Sequence, residues 1–200
     1  MPAKTAEYRL FLLDVSNSMN EKLRGAQKLR IVKDSLKRFY MELLPSYYPE
    51  WPLKVGVASF RLAGIVGKTR IQELVSPLVS PTKAELERFD ELKGSGGSPI
   101  LDALKYARQT MRSIDSIDRW SNPIKRIKLI GDGGNDGPDP LKFCEELSKS
   151  RIILDCVELA GRPSAFMAEM ASKGKGLHYC VRSVDELVMG LSLPRFTEKY

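Results

Sequence analysis

Three observations in this 200-residue chain predict an α/β fold in three layers. Short β-rich apolar runs alternate with segments of helical period, which implies a doubly wound, mostly parallel sheet with helices on both faces. One run carries Pro77, which removes a ladder donor and marks the one antiparallel edge strand. No internal repeat or linker divides the chain. Residues 1–200 therefore read as a single domain, with a core of about 8–193 and flexible ends at 1–6 and 195–200.

The elements follow in order. Tyr8–Leu13 is apolar and short, the first strand. Leu23 to about Leu44 reads as a helix, because Leu29, Val32, Leu36, Phe39 and Leu43 are spaced three and four apart; Pro45 and Pro49 end it. Leu53–Phe60 is the second strand, and Ile71–Val79, with Pro77, the edge strand. Thr82-Lys83-Ala84-Glu85 has capping-box spacing and opens a helix to about Leu92. After the loop Lys93–Gly97, Ser98 and Pro99 read as N-cap and first residue of a helix whose buried face is Ile100, Leu104, Ala107, Met111 and Ile114. Ile124–Ile130 is a strand. The glycines of 131–138 demand a loop, and Pro140–Lys149 a helix. Ile152–Glu158, Ser164–Ser172, Leu177–Val181 and Val184–Leu193 complete the alternation as strand, helix, strand and helix, with Pro194 as the stop.

Composition narrows the function classes. At 42% hydrophobic and 28% charged residues the chain is an ordinary globular one. No run of about 18 apolar residues suggests a membrane span, and the first residues lack a signal-peptide core, so a cytoplasmic location is expected. Cys144, Cys156 and Cys180 are odd in number and form no CxxC pair, which speaks against a disulfide framework or a zinc site and for reduced core residues. A single histidine, His178, leaves no Ser–His or Cys–His triad. The net charge of +7 is scattered, as on a solvated surface, though it would also draw an acidic partner or nucleic acid.

Asp14-Val15-Ser16-Asn17-Ser18 sits directly after the first strand and holds a carboxylate and two hydroxyls at alternate positions. In an extended loop such residues point the same way. In a sheet of this class ligands bind beyond the carboxyl ends of the strands. Two further polar loops belong there: Gly94–Ser98, contributing Ser98, and Asp132–Gly137, contributing Asp132. Two carboxylates, three hydroxyls and water suit a hard divalent cation that prefers oxygen. Each residue also has a plainer reading. Asp14 and Ser18 suit a cap of the first helix, Ser98 an N-cap, Asp132 a turn; Asp102 suits the helix dipole, and Asp136 and Asp139 a turn and a cap.

With these residues in place, the chain resembles the von Willebrand factor A (VWA) family, from Tyr8 to Leu193. The resemblance rests on the Asp-x-Ser-x-Ser loop at 14–18, a hydroxyl residue in a glycine-rich loop at 98, and an aspartate in a strand-to-glycine turn at 132. It implies a metal-ion-dependent adhesion site (MIDAS) on a Rossmann-like sheet, with Asp14, Ser16, Ser18, Ser98 and Asp132 as metal residues and Mg²⁺ or Mn²⁺ ahead of Ca²⁺. The family more often has Thr at the second loop and Thr-Asp-Gly at the third; here Ser98 keeps the oxygen and Gly131-Asp132-Gly133 lacks the Thr. The stretch Ile117–Pro123 is loosely similar to the tellurium-resistance-associated subgroup.

The function so implied is metal-dependent binding of a protein partner that supplies an Asp or Glu, as an intracellular scaffold or adaptor and not as an enzyme. Three rival readings lack residues. A haloacid-dehalogenase-type phosphoryl transferase needs a second acid where Ser16 stands. A P-loop needs a Gly-Lys-Ser/Thr end that Gly94–Gly97 lacks. A calcium loop counted from Asp132 meets Gly134 at its third position and Phe143 at its twelfth. A nucleic-acid-associated role rests on the basic charge alone, with no aromatic-plus-basic motif beside it.

Overall fold

The structure is a computed structural model, and it describes residues 6–47, 53–64, 67–77, 81–117 and 123–193. Among the described residues, eight strands run in chain order as β1 (Glu7–Asp14), β2 (Lys22–Leu23), β3 (Ala26–Gln27), β4 (Leu53–Ala63), β5 (Lys68–Val75), β6 (Ile124–Gly131), β7 (Ile152–Leu159) and β8 (Lys175–Val181). The helices are α1 (Lys28–Arg38), α2 (Lys83–Glu87), α3 (Ile100–Ile117), α4 (Leu141–Lys149), α5 (Ala165–Lys173) and α6 (Val184–Ser192).

The main sheet has the order β5-β4-β1-β6-β7-β8. All of its neighbours pair in parallel except the edge strand β5, which runs antiparallel to β4. Every residue of β1 is buried, as a central strand covered on both faces must be. Its alternate side chains feed two cores. Tyr8, Leu10 and Leu12 pack with α3, α4 and α5, while Phe11 and Leu13 pack with α1 and α6. The expected three-layer, doubly wound sheet with its antiparallel edge is therefore present.

Three expectations change. The long first helix begins at Lys28, not Leu23, because Arg24 (φ 50°) and Gly25 (φ 90°) have left-handed backbone that no helix tolerates. That turn joins β2 to β3 in a two-residue ribbon. Beyond Arg38 the helix loosens into a π turn at Phe39–Leu43 and a 3₁₀ turn at Leu44–Tyr47 that contains Pro45. The edge strand lies earlier than expected, ending at Val75, so Pro77 follows it instead of interrupting it. The Thr82 capping box forms, but regular helix ends at Glu87. The expected strand end at Val79, the stop at Pro194, Pro49, Trp120 and both chain ends fall outside the described residues. Among the described residues, no helix is long and apolar enough to cross a membrane.

The sheet also buries charge that apolar patterning hides. Glu7 and Arg9 of β1, Arg126 and Lys128 of β6, and Asp155 of β7 form one buried cluster beneath α6. Its surplus cation is matched by a helix end. Arg9 Nη1 donates to the carbonyls of Leu191 and Ser192, both at 2.8 Å, and Lys128 Nζ donates to those of Gly190 (2.9 Å) and Leu193. These are the last carbonyls of α6, where the helix dipole is negative and no intrahelical donor remains.

Candidate metal centre

The carboxyl ends of β1 and β6 lie side by side, so Asp14 and Asp132 emerge from neighbouring strand ends. Backbone bonds then stitch the three polar loops together. Asn17 N donates to Gly96 O (2.9 Å) and Ser95 N to Val15 O (2.8 Å), joining the first loop to the second. Asp136 N donates to Ser98 O (2.9 Å), while Asp136 Oδ2 accepts from Ser98 N (2.8 Å), joining the second to the third. Arg61 of β4 donates to Ser95 Oγ and props the second loop from the sheet side.

Within this frame the five sequence-selected residues meet. Ser16 N donates to Asp14 Oδ1 at 2.7 Å, and the Ser16 and Ser18 hydroxyls lie 3.1 Å apart. Ser98 and Asp132 act electrostatically on Asp14, and Ser18 acts on Asp132. Asp14, Ser16 and Ser98 are buried. Burial pushes the Asp14 carboxyl up to about 6, against the opposing hydrogen bonds from Ser16. Burial also acts on Asp132, but the hydrogen bond from Lys28 and the nearby Ser18 hydroxyl outweigh it and hold that carboxyl below its ordinary range.

The plainer readings of these residues now separate. α1 starts at Lys28, and its N-cap residue Gln27 makes no side-chain cap bond, so neither Asp14 nor Ser18 caps it. Ser98 does not cap α3 with its side chain, a correction to the N-cap expectation. Among the described residues its hydroxyl is buried without a hydrogen-bond partner, although it lies near enough to Asp14 to act on that carboxyl. Asn135 Oδ1 instead reaches the Ile100 amide, at 3.4 Å. Asp102 accepts from Thr69 Oγ1 at 2.6 Å and stays outside the cluster. Asp136 proves to be the brace between two loops, and Asp139 caps the approach to α4 through Leu141 N (2.9 Å).

Two buried oxygens in this cluster, Ser98 Oγ and Asp132 Oδ1, have no hydrogen-bond partner among the described residues. Burying a polar atom without a partner is costly, and such atoms call for an explanation. Together with Asp14, Ser16 and Ser18 they form a hard, all-oxygen donor set, which fits a divalent cation of the Mg²⁺ or Mn²⁺ type with water completing the shell. Among the described residues no three His, Cys, Asp or Glu side chains gather at one point, so hydroxyls are essential to this set.

One participant escaped the sequence reading. Lys28 Nζ donates to Asp132 Oδ2 at 2.9 Å, to Glu21 Oε2 at 3.0 Å and to Ser18 O at 3.4 Å. Burial opposes its charge, but Asp132 and Glu21 hold the ammonium above the ordinary lysine range. The Arg24-Gly25 pair was the available signal, since a turn there places Lys28 at a helix start beside the first loop.

The other candidates for chemistry are structural. His178 Nε2 lies 2.8 Å from Glu158 Oε2, whose carboxylate also accepts from Ser164 N, so the acid and not the histidine occupies the centre of that group. Burial pushes the Cys144 thiol up to about 12 and Cys156 well above its ordinary value, which removes both as nucleophiles. Cys180 is half-buried, and the described cysteines are free.

No family model and no curated protein matches this sequence. Solved structures do match in fold. The VWA domain of SpRpn10 superposes with a TM-score of 0.70 at 12% identity, over 95% of this chain and 96% of that one. Manganese-loaded TRAP protein from Plasmodium vivax gives 0.67 at 17% identity, over 96% and 73%. An aerotolerance-related membrane protein from Bacteroides fragilis, carrying multiple mutations to serine, gives 0.64 at 16% identity, over 94% and 96%. At such identities the likeness establishes the fold, which is that of VWA domains. The Ile117–Pro123 similarity falls mostly on 118–122, outside the described residues.

Proposed function

We propose that this chain, with its VWA fold, is a protein-interaction module that grips an acidic residue of its partner through a Mg²⁺ or Mn²⁺ ion held at a MIDAS. The observation that carries the reading is the pair of buried, unpartnered oxygens, Ser98 Oγ and Asp132 Oδ1, in the same cluster as Asp14. A divalent ion bound there would supply a Lewis-acidic point for a carboxylate from outside. Asp14 and Asp132 balance its charge, and the three serine hydroxyls add neutral oxygen donors. The stitched loops fix these donors in advance, so little order has to be gained on binding. Manganese in the Plasmodium vivax TRAP structure lends support to a divalent ion on this fold.

The role is non-enzymatic and intracellular in this reading, that of a scaffold or adaptor. Ser16 stands where a phosphoryl-transfer enzyme would need its second acid, and the buried thiols offer no nucleophile. The net charge of +7 suits an acidic partner and speeds its encounter. The test is a pull-down with wild-type and Ser16→Ala/Ser18→Ala protein, in Mg²⁺ and in EDTA. The partner should be retained by wild type in Mg²⁺ alone; equal retention under all four conditions overturns the metal bridge.

A further inference from the structure

Lys28 is out of place by local rules. It is the first residue of α1, where the helix dipole disfavours a cation; no acid stands in that first turn, and Gln27 provides no side-chain cap. Its side chain is 11% exposed, so the ammonium is held rather than free to sweep through water. It spends its hydrogen bonds on Asp132, Glu21 and the carbonyl of Ser18. A local preference broken in favour of contacts to a site marks function more than stability. Asp132 is divided as a result. Oδ2 takes Lys28, while Oδ1 is buried and unpartnered.

We propose that Lys28 is the internal counter-cation of this centre, holding Asp132 and the Ser18 loop assembled without metal and weakening metal binding so that an anionic ligand is needed to complete it. The inference rests on the metal reading given above. Its physics is charge balance. Asp14 and Asp132 alone would neutralise a divalent ion; with the Lys28 ammonium against Asp132, one positive charge is left over at the loaded site. Glu21 offsets little of it, because its side chain is 69% exposed and screened by water. A carboxylate then becomes the favoured last ligand over a neutral amide or water. Lys28 thus sets the chemical class of the partner's contact as well as the affinity for the ion.

The experiment is Mn²⁺ titration, followed by the free-ion EPR signal, on wild type, Lys28→Met, Lys28→Gln and Lys28→Arg. Both neutral variants should bind Mn²⁺ about tenfold more tightly, the effect of removing one unit charge a few ångströms away at water-like screening, and Lys28→Arg should stay near wild type. Acetate, the simplest carboxylate, should enhance Mn²⁺ binding in wild type more than in Lys28→Gln. Equal or weaker Mn²⁺ binding by both neutral variants, with wild type still binding, overturns the role of Lys28 and leaves the metal reading intact. No Mn²⁺ binding by any of the four proteins overturns both.

Discussion

Asp136 and Ser98 exchange two hydrogen bonds across loops 38 residues apart, the Ser98 amide donating to the Asp136 carboxylate at 2.8 Å and the Asp136 amide to the Ser98 carbonyl at 2.9 Å. That exchange fixes the Ser98 backbone while leaving its hydroxyl unpartnered, so the side chain is available to the cluster around Asp14. Outer residues of this kind commonly govern affinity for a metal they never touch.

Asp136→Ala should therefore lower Mn²⁺ affinity by about 10- to 100-fold and stability by about 1–3 kcal/mol, from the unpaired Ser98 amide. Calorimetric titration and urea unfolding would check the two effects separately. Unchanged affinity would mean that Ser98 does not depend on this brace.

Asp14→Asn should abolish Mn²⁺ binding and yet stabilise the metal-free protein at pH 7.5. The Asp14 carboxyl is raised to about 6, mainly by burial, so its protonated form is the one the folded state favours. Its contribution is full below the unfolded value and is lost as pH rises through about 6. At pH 7.5 the buried charge costs about 1–3 kcal/mol, which a neutral amide relieves. Metal-free melting curves of both proteins at pH 4 and 7.5 should differ only at the higher pH.

Gly96→Ala should displace the second loop. Gly96 has φ 72°, and an added Cβ would lie 1.9 Å from the Leu62 carbonyl oxygen, inside any tolerable contact. A loss of about 2–4 kcal/mol and of Mn²⁺ binding is expected, the first read by urea denaturation and the second by calorimetry.

The cluster under α6 carries its own pH signature. Burial lowers the Lys128 ammonium to about 8, against the attraction of Asp155 and with the repulsion of Arg9 and Arg126. The unfolded chain then holds a proton between pH 8 and 10.5 that the folded chain releases. The contribution of Lys128 to stability is greatest above 10.5 and is lost as pH falls through 8. Wild type should gain up to about 3 kcal/mol across that window relative to Lys128→Met, whose profile lacks this rise. Parallel profiles for the two proteins would show that Lys128 titrates normally.

Much of this fold is legible along the chain because parallel strands under helices obey short-range rules. The short β-rich apolar runs, set between segments of helical period, located all six strands of the main sheet, with ends a few residues off where a strand runs on past its apolar stretch, as β4 does to Ala63. The sequence by itself also determined which loops would meet at one edge of the sheet, since oxygen side chains after a strand end at 14–18 and 132 are a local pattern. What it hid was decided by distance in space. The start of α1 depended on left-handed backbone at Arg24 and Gly25, whose helical period looked intact around them. The charges within β1 and β6 are buried against Asp155 of β7 and the carbonyl end of α6, some 60 to 180 residues away from Lys128 and Arg9. The release of the Ser98 hydroxyl from capping required Asn135 and Asp136, and the placement of Lys28 against Asp132 required two loops 104 residues apart to meet. Local sequence fixes what each residue can offer; only the closed tertiary structure decides which partner is close enough to take it.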